Sequence, residues 1–205
     1  MTTAWFDKTV LPNSMVNAKF KCLEESEHFD VLKACFDVVR ESKTLLDLGC
    51  GAAEVSRVFN NFDYTGADLP HIIDGVSKTK NPNVRYIKFD IEKDSLHFLN
   101  GKDVILMNSF ISEIPNWYRA LTKVLVNAEK YIILHRQTVT EEKSTLVEYN
   151  TYGGLLTTNS IINQEELIRL FEMNDFEKIY EANSFKHNRA CKSFVFEKQG
   201  GSSYE

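Results

Sequence analysis

The feature that most constrains this chain is the run Thr44-Leu45-Leu46-Asp47-Leu48-Gly49-Cys50-Gly51. A short apolar segment that stops at a glycine turn reads as a strand buried on both faces. Gly49 and Gly51 permit positive φ and let the main chain approach a ligand closely. A glycine-rich turn after the first strand of an open α/β sheet lies at its carboxyl edge, where such folds bind ligands. Alone, the pattern describes a cofactor loop or a plain tight turn, so the rest of the chain must decide.

Downstream, strand-like runs alternate with helical ones. Strands fit 44–49, 63–67, 84–89, 103–107 and 131–135. Short helices fit 53–60 and the stretch after Pro115, which suits a first helical turn and precedes Trp117, Leu121, Val124 and Leu125 at helical spacing. Ser26 is a candidate cap for a helix carrying Phe29, Leu32, Phe36 and Val39 on one face. Asn163 and Glu166 form a capping-box pair ahead of a helix over 164–174. Such alternation predicts a parallel sheet covered by helices on both faces. The end differs: the runs 176–182 and 192–198 are too close for a crossover helix, so they must pair antiparallel.

Two acids sit at further strand ends. Asp68 follows Asp47 at about the spacing of the ribose-binding acid in dinucleotide folds. Its alternative is a helix N-cap ahead of Leu69-Pro70. Asp90 closes the third strand, where it can take an adenine amino group while Ile91 meets the ring, or simply cap a turn. Three consecutive strand ends with a glycine turn or an aspartate favour a shared ligand over chance.

At this point the segments LLDLGCGAAE, GADL, KFDIEKD and DVILMNSFISEIP resemble the class I S-adenosylmethionine-dependent methyltransferases over about residues 40–135. Ala53 departs from the pattern, standing where a third glycine is frequent. The resemblance implies an α/β fold: a Rossmann-like, doubly wound, mostly parallel seven-stranded sheet with an antiparallel C-terminal hairpin. It implies S-adenosyl-L-methionine as cofactor and S-adenosyl-L-homocysteine as product. Asp47, Gly49, Cys50 and Gly51 would frame the methionine part. Asp68 and Leu69 would hold the ribose, and Asp90 and Ile91 the adenine. Asn108, Ser109 and Phe110 would line the cofactor near the sulfonium. No metal is expected, because the ligand set of the metal-dependent catechol-type enzymes is not evident.

The acceptor is less constrained. A formal charge of −5 over 205 residues gives no general basic face for phosphates, which argues against nucleic acid as partner. The Asn108-Ser109-Phe110-Ile111 segment also lacks the Asn/Asp-Pro-Pro-aromatic signature of enzymes acting on nucleic-acid amino groups. A small-molecule acceptor, a metabolite or sugar, methylated on oxygen or nitrogen, fits better. His135 at the end of strand five and Glu113 are the candidate bases; the alternatives are a polar strand-end histidine bonded to backbone and a carboxylate placed before Pro115, where negative charge suits a helix N-terminus. Residues 137–162 form a long insert with no helical pattern; with Tyr149 and Tyr152 it is expected to form a substrate wall, and Trp5 and Phe6 a lid, the alternative being a plain surface hairpin. Cys22, Cys35, Cys50 and Cys191 show neither disulfide nor zinc spacing. With no signal-peptide pattern and no membrane-length apolar run, a cytoplasmic location and no membrane partner are expected. One domain over 1–199 and a mobile tail over 200–205 complete the expectation; no pattern specifies an oligomeric state. The rival readings are a nicotinamide-dependent oxidoreductase, disfavoured by the reversed final hairpin, and a non-catalytic cofactor-binding module.

Overall fold

The computed structural model describes residues 4–17 and 22–200, so most of the expected tail lies outside the described residues. The five parallel strands are β1 (Thr44–Leu48), β2 (Asp63–Asp68), β3 (Arg85–Lys88), β4 (Val104–Asn108) and β5 (Tyr131–Thr140). They lie in the order β3-β2-β1-β4-β5, which reverses direction between β1 and β4. Open α/β sheets bind ligands at that switch point, outside the carboxyl ends of the strands.

The insert is not a loop. It forms an antiparallel hairpin of β6 (Thr145–Asn150) and β7 (Leu156–Asn163). It joins the sheet only where Val139 and Thr140 of β5 meet Ile162 and Asn163. The sheet therefore has the seven expected strands and these two more. Helical patterning was absent for a physical reason. β6 is largely exposed and β7 is rich in threonine and asparagine, so neither shows the apolar alternation of a half-buried strand. At the C-terminus β8 (Phe176–Phe185) and β9 (Asn188–Lys198) form the expected hairpin, and β9 also pairs antiparallel with β5.

The helices are α1 (Val10–Asn17), α2 (Phe29–Val38), α3 (Val55–Val58), α4 (residues 70–80, whose middle, Ile73–Ser77, is a π turn), α5 (Trp117–Asn127) and α6 (Gln164–Glu172). One apolar layer packs α5 and α6 on the sheet through Leu121, Val124, Leu167 and Phe171; the Phe171 ring stacks on Phe196 of β9 at 3.6 Å between centroids. The opposite layer packs Leu32 and Phe36 of α2 against Leu45, Leu106 and Ile133. A third, small cluster joins Leu11 and Met15 of α1 to Ile72 and Val76 of α4, which seats the N-terminal helix over the sheet edge.

Two capping expectations met different ends. Ser26 does not cap α2; its hydroxyl donates to the Leu23 carbonyl at 2.6 Å, closing a short 3-10 turn, and α2 begins at Phe29. Asn163 does cap α6, accepting from the Glu166 N–H at 2.8 Å. The return bond is relayed. The Asn163 N–H donates to Ser144 Oγ (2.9 Å), which donates to Glu166 Oε2 (2.7 Å), tying the helix start to the β5–β6 turn. Asn163→Ala should therefore lower the unfolding free energy by about 1 kcal/mol, the usual cost of a lost cap. Urea denaturation will measure it, and an unchanged midpoint would show the cap to be redundant.

Candidate functional site

Three neighbouring strands depart from regular extended geometry through left-handed residues at the same edge of the sheet. Gly49 follows β1 with φ 73°, Ser109 follows β4 with φ 53°, and Arg136 lies within β5 with φ 56°. For Ser109 and Arg136 this conformation is sparsely populated and clusters at functional sites. Above this edge opens a cavity of about 820 Å³, in the upper part of the usual range for ligand pockets. All the expected cofactor-side residues line it: Asp47, Gly49, Cys50, Gly51, Asp68, Leu69, Asp90, Ile91, Asn108, Ser109 and Phe110.

The glycine loop is held from outside. The Ala67 carbonyl accepts from both Gly49 N–H (2.8 Å) and Cys50 N–H (3.2 Å). Asp68 Oδ2 accepts from Gly51 N–H (2.9 Å), and its Oδ1 from its own neighbour Leu69 N–H (2.7 Å). Ser77, delivered by the π turn of α4, donates to the Gly51 carbonyl at 2.6 Å, and Asn81 donates to that of Ala52 at 2.6 Å. A Cβ on Gly49 would stand 2.3 Å from the Phe110 ring, so the turn demands glycine for space as well as for φ.

Asp47 is buried beneath this loop. Its Oδ2 accepts from the Tyr64 hydroxyl at 2.7 Å, while Oδ1 has no partner among the described residues. Burial pushes its carboxyl up to about 7; the Tyr64 bond opposes the rise and the Asp68 charge adds to it. Although Asp68 borders the cavity, burial pushes its carboxyl up to about 6 against the two backbone N–H donors. Asp68 does not act as an N-cap: α4 starts after Leu69 with no side-chain cap. Asp90 does take the turn role that was its alternative, accepting from Glu92 N–H (3.0 Å) and Lys93 Nζ (2.6 Å), yet it stays at the cavity wall.

Across the cavity, Glu113 gathers the expected substrate-side residues. Its Oε2 accepts from Trp5 Nε1 at 3.0 Å, and the Tyr149 hydroxyl lies 2.9 and 2.8 Å from its two oxygens. Burial raises its carboxyl; the Tyr149 and Trp5 bonds and the Arg136 charge counter the rise. Tyr152 meets Trp5 edge-on, and Phe6 also lines the cavity, under Lys93 Nζ at 5.3 Å. The N-terminal segment and the insert thus meet at one carboxylate, from opposite ends of the chain.

His135 is a correction. It is wholly buried and does not line the cavity. Strand alternation puts it on the face of Ile133, toward α2, where Nδ1 bonds Ser193 Oγ (2.7 Å) and Nε2 bonds His28 Nδ1 (2.9 Å). Both ring nitrogens are therefore occupied. His28, just ahead of α2, is the histidine at the cavity wall; burial first, then the Arg136 charge, lowers it to about 4, so it stays neutral. Arg136 also lines the cavity, its Nε donating to Asn108 Oδ1 at 2.8 Å. Sequence reasoning passed over both. His28 was hidden as a residue before a helix, and Arg136 by a β-bulge between Leu134 and Gln137 that no pattern announces. Among the described residues no cluster of His, Cys, Asp and Glu could hold a metal ion, and no helix is long and apolar enough to cross a membrane.

Comparison with known proteins agrees with this geometry. A family model described as a methyltransferase domain matches residues 23–181. No sequence match was found among curated proteins. Among solved structures, the chain is similar to an S-adenosylmethionine-bound amino pentose methyltransferase from Micromonospora echinaspora (TM-score 0.62, 14% identity, covering 97% of this chain and 100% of that one). It is also similar to a glycopeptide N-methyltransferase complexed with sinefungin (0.65, 9%, 90% and 99%). Magnesium protoporphyrin IX methyltransferase from Synechocystis with bound S-adenosylhomocysteine is a third (0.64, 8%, 94% and 100%).

The buried carboxyls make a test in solution. Folding raises Asp47 and Asp68 above the unfolded value of about 3.9, so their protonated forms favour the fold, and that stabilisation is lost as pH rises through about 6 and 7. His28 and His135, lowered by burial, act oppositely as their unfolded forms titrate around pH 6.5, so the wild-type curve alone mixes the two effects. The difference between wild type and Asp47→Asn, which keeps an acceptor for Tyr64, isolates the carboxyl: relative to the variant, the ligand-free wild type should lose stability as pH rises from about 4 to about 7 and no further above that. Urea denaturation of both proteins from about pH 5 to 8 decides, and a constant difference would overturn it.

Proposed function

The chain belongs to the methyltransferase-domain family, and from that premise we propose that it transfers the methyl group of S-adenosylmethionine to an oxygen or nitrogen of a small-molecule acceptor. The observation that carries the reading is the convergence of the glycine loop, Asp68 and Asp90–Ile91 on one cavity whose opposite wall is Glu113. The residues fit the cofactor. The unpartnered buried oxygen of Asp47 suits the amino group of its methionine part. Asp68 retains lone pairs for the ribose hydroxyls, and Ile91, buried at the wall, offers an apolar face to the adenine beside Asp90. Asn108, Ser109 and Phe110 flank the reacting end at the tip of β4.

The cofactor supplies a methyl group already activated by a positive sulfur. What the protein adds is alignment and a water-poor enclosure, and alignment alone can supply several kcal/mol. Trp5 and Tyr149 fix Glu113 so that its carboxylate can hold the acceptor's O–H or N–H and take its proton where the nucleophile carries one. His28 presents a neutral ring nitrogen to the cavity, and His135 acts beneath it as a positioning residue whose bond to His28 Nδ1 sets whether that nitrogen donates or accepts. Similarity to methyltransferases of an amino pentose and a glycopeptide supports acceptors of this kind.

Calorimetry with S-adenosylmethionine against NAD tests the cofactor; release of S-adenosylhomocysteine over a panel of amino sugars, hydroxylated aromatics and amines tests turnover. Asp68→Ala should remove charged hydrogen bonds worth roughly 1.5–3 kcal/mol, weakening cofactor binding about ten- to a hundredfold. An unchanged dissociation constant would contradict the ribose role.

A further inference from the structure

We propose that the acceptor carries an oxyanion, a carboxylate or a phosphate-type group, and that Arg136 binds it; this rests on the methyl-transfer reading above. Arg136 occupies an unusual position. One extra residue on β5 opposite β9 makes a bulge between Leu134 and Gln137, and bulges re-aim side chains. A left-handed backbone is costly for a long side chain, and here it turns Arg136 to the cavity while His135 goes into the core.

The guanidinium arrives there without a contact ion pair, although Glu113 attracts it from a distance. Its one hydrogen bond runs from Nε to the neutral amide of Asn108 at 2.8 Å, and no carboxylate among the described residues forms an ion pair with it. The nearby Glu113 oxygens are engaged by Trp5 and Tyr149 instead. A partly buried cation held in contact by one neutral amide leaves charge pairing unrealised, and proteins that bury a cation generally pair it. Both amino groups of the planar fork are left to meet a ligand, in the geometry that matches a carboxylate or phosphate. Burial lowers the Arg136 pKa, consistent with a desolvated group awaiting a partner.

The position assigns this partner to the acceptor rather than to the cofactor. The β5 backbone lies two strands from β1, about 10 Å at roughly 4.8 Å per strand, and the Arg136 side chain reaches back only as far as Asn108 at the tip of β4. Its cavity neighbours are Glu113 and Tyr152, which belong to the opposite wall, with the apolar Ile114 and Pro115 beside them. An acceptor with an apolar body and an anionic end fits that half, its methylated atom toward Glu113.

The test uses the full chain saturated with S-adenosylhomocysteine and calorimetric titration of benzoate, phenylacetate and phenyl phosphate against the neutral benzamide and phenylacetamide. The anions should bind at least tenfold tighter than the amides. Arg136→Gln should abolish that preference while leaving S-adenosylhomocysteine affinity within twofold, and Arg136→Lys should keep part of it, covering the case in which the Gln variant fails to fold. Amides binding as well as the anions, neither class binding, or a preference that survives Arg136→Gln would each overturn the proposal. So would a tenfold loss of S-adenosylhomocysteine affinity in Arg136→Gln, which would put Arg136 in the cofactor's half of the cavity, directly or through Asn108. A chain that binds no S-adenosylhomocysteine ends the methyl-transfer reading instead, and the anion–amide comparison is then made on the ligand-free protein.

Discussion

The site depends on how the glycine loop is tied down. Residues 49–53 receive bonds from β2 through Ala67 and Asp68, and from α4 through Ser77 and Asn81. Buried backbone groups must be paired, and here they are paired away from the cavity, which leaves the loop's inner surface to a ligand. The same anchoring explains the π turn in α4. The wider turn carries Ser77 to where its hydroxyl reaches the Gly51 carbonyl. Asp68 serves both sides: its carboxylate holds the loop shape from below and borders the cavity from beside it.

Much of this was legible in the sequence because it follows local rules. The buried strands announce themselves as apolar runs, the glycine turn and the strand-end aspartates by position, and the final hairpin by a connection too short for a crossover. The meeting of Trp5, Glu113 and Tyr149 was legible only in part. Each was placed on the substrate side, but no spacing rule joins residues so far apart in the chain, and only tertiary packing brings them within hydrogen-bond distance.

Where the reading failed, alternation and its interruption were the cause. His135 was assigned to the catalytic edge because it ends strand five, yet alternation on β5 carries it to the α2 face, into a buried chain with His28, Ser193 and Ser184. One residue later the bulge breaks the period and delivers Arg136 to the cavity. A bulge needs the partner strand β9 to exist, so it cannot be seen in β5 alone. The β6–β7 hairpin stayed one of two alternatives, its strands unplaced, for a related reason: it is stabilised by pairing with itself rather than by burying an apolar face.

The shared carboxylate of Glu113 has one more consequence. Trp5 and Tyr149 both donate to it, so the two walls are fastened by latches with a common catch. Hydrogen bonds to a charged acceptor are worth roughly 1.5–3 kcal/mol and those to a neutral one about 1. When Glu113 takes up a proton, both latches therefore loosen together. The protonation state of this one carboxyl is thereby felt at both walls at once, the N-terminal segment and the β6–β7 hairpin.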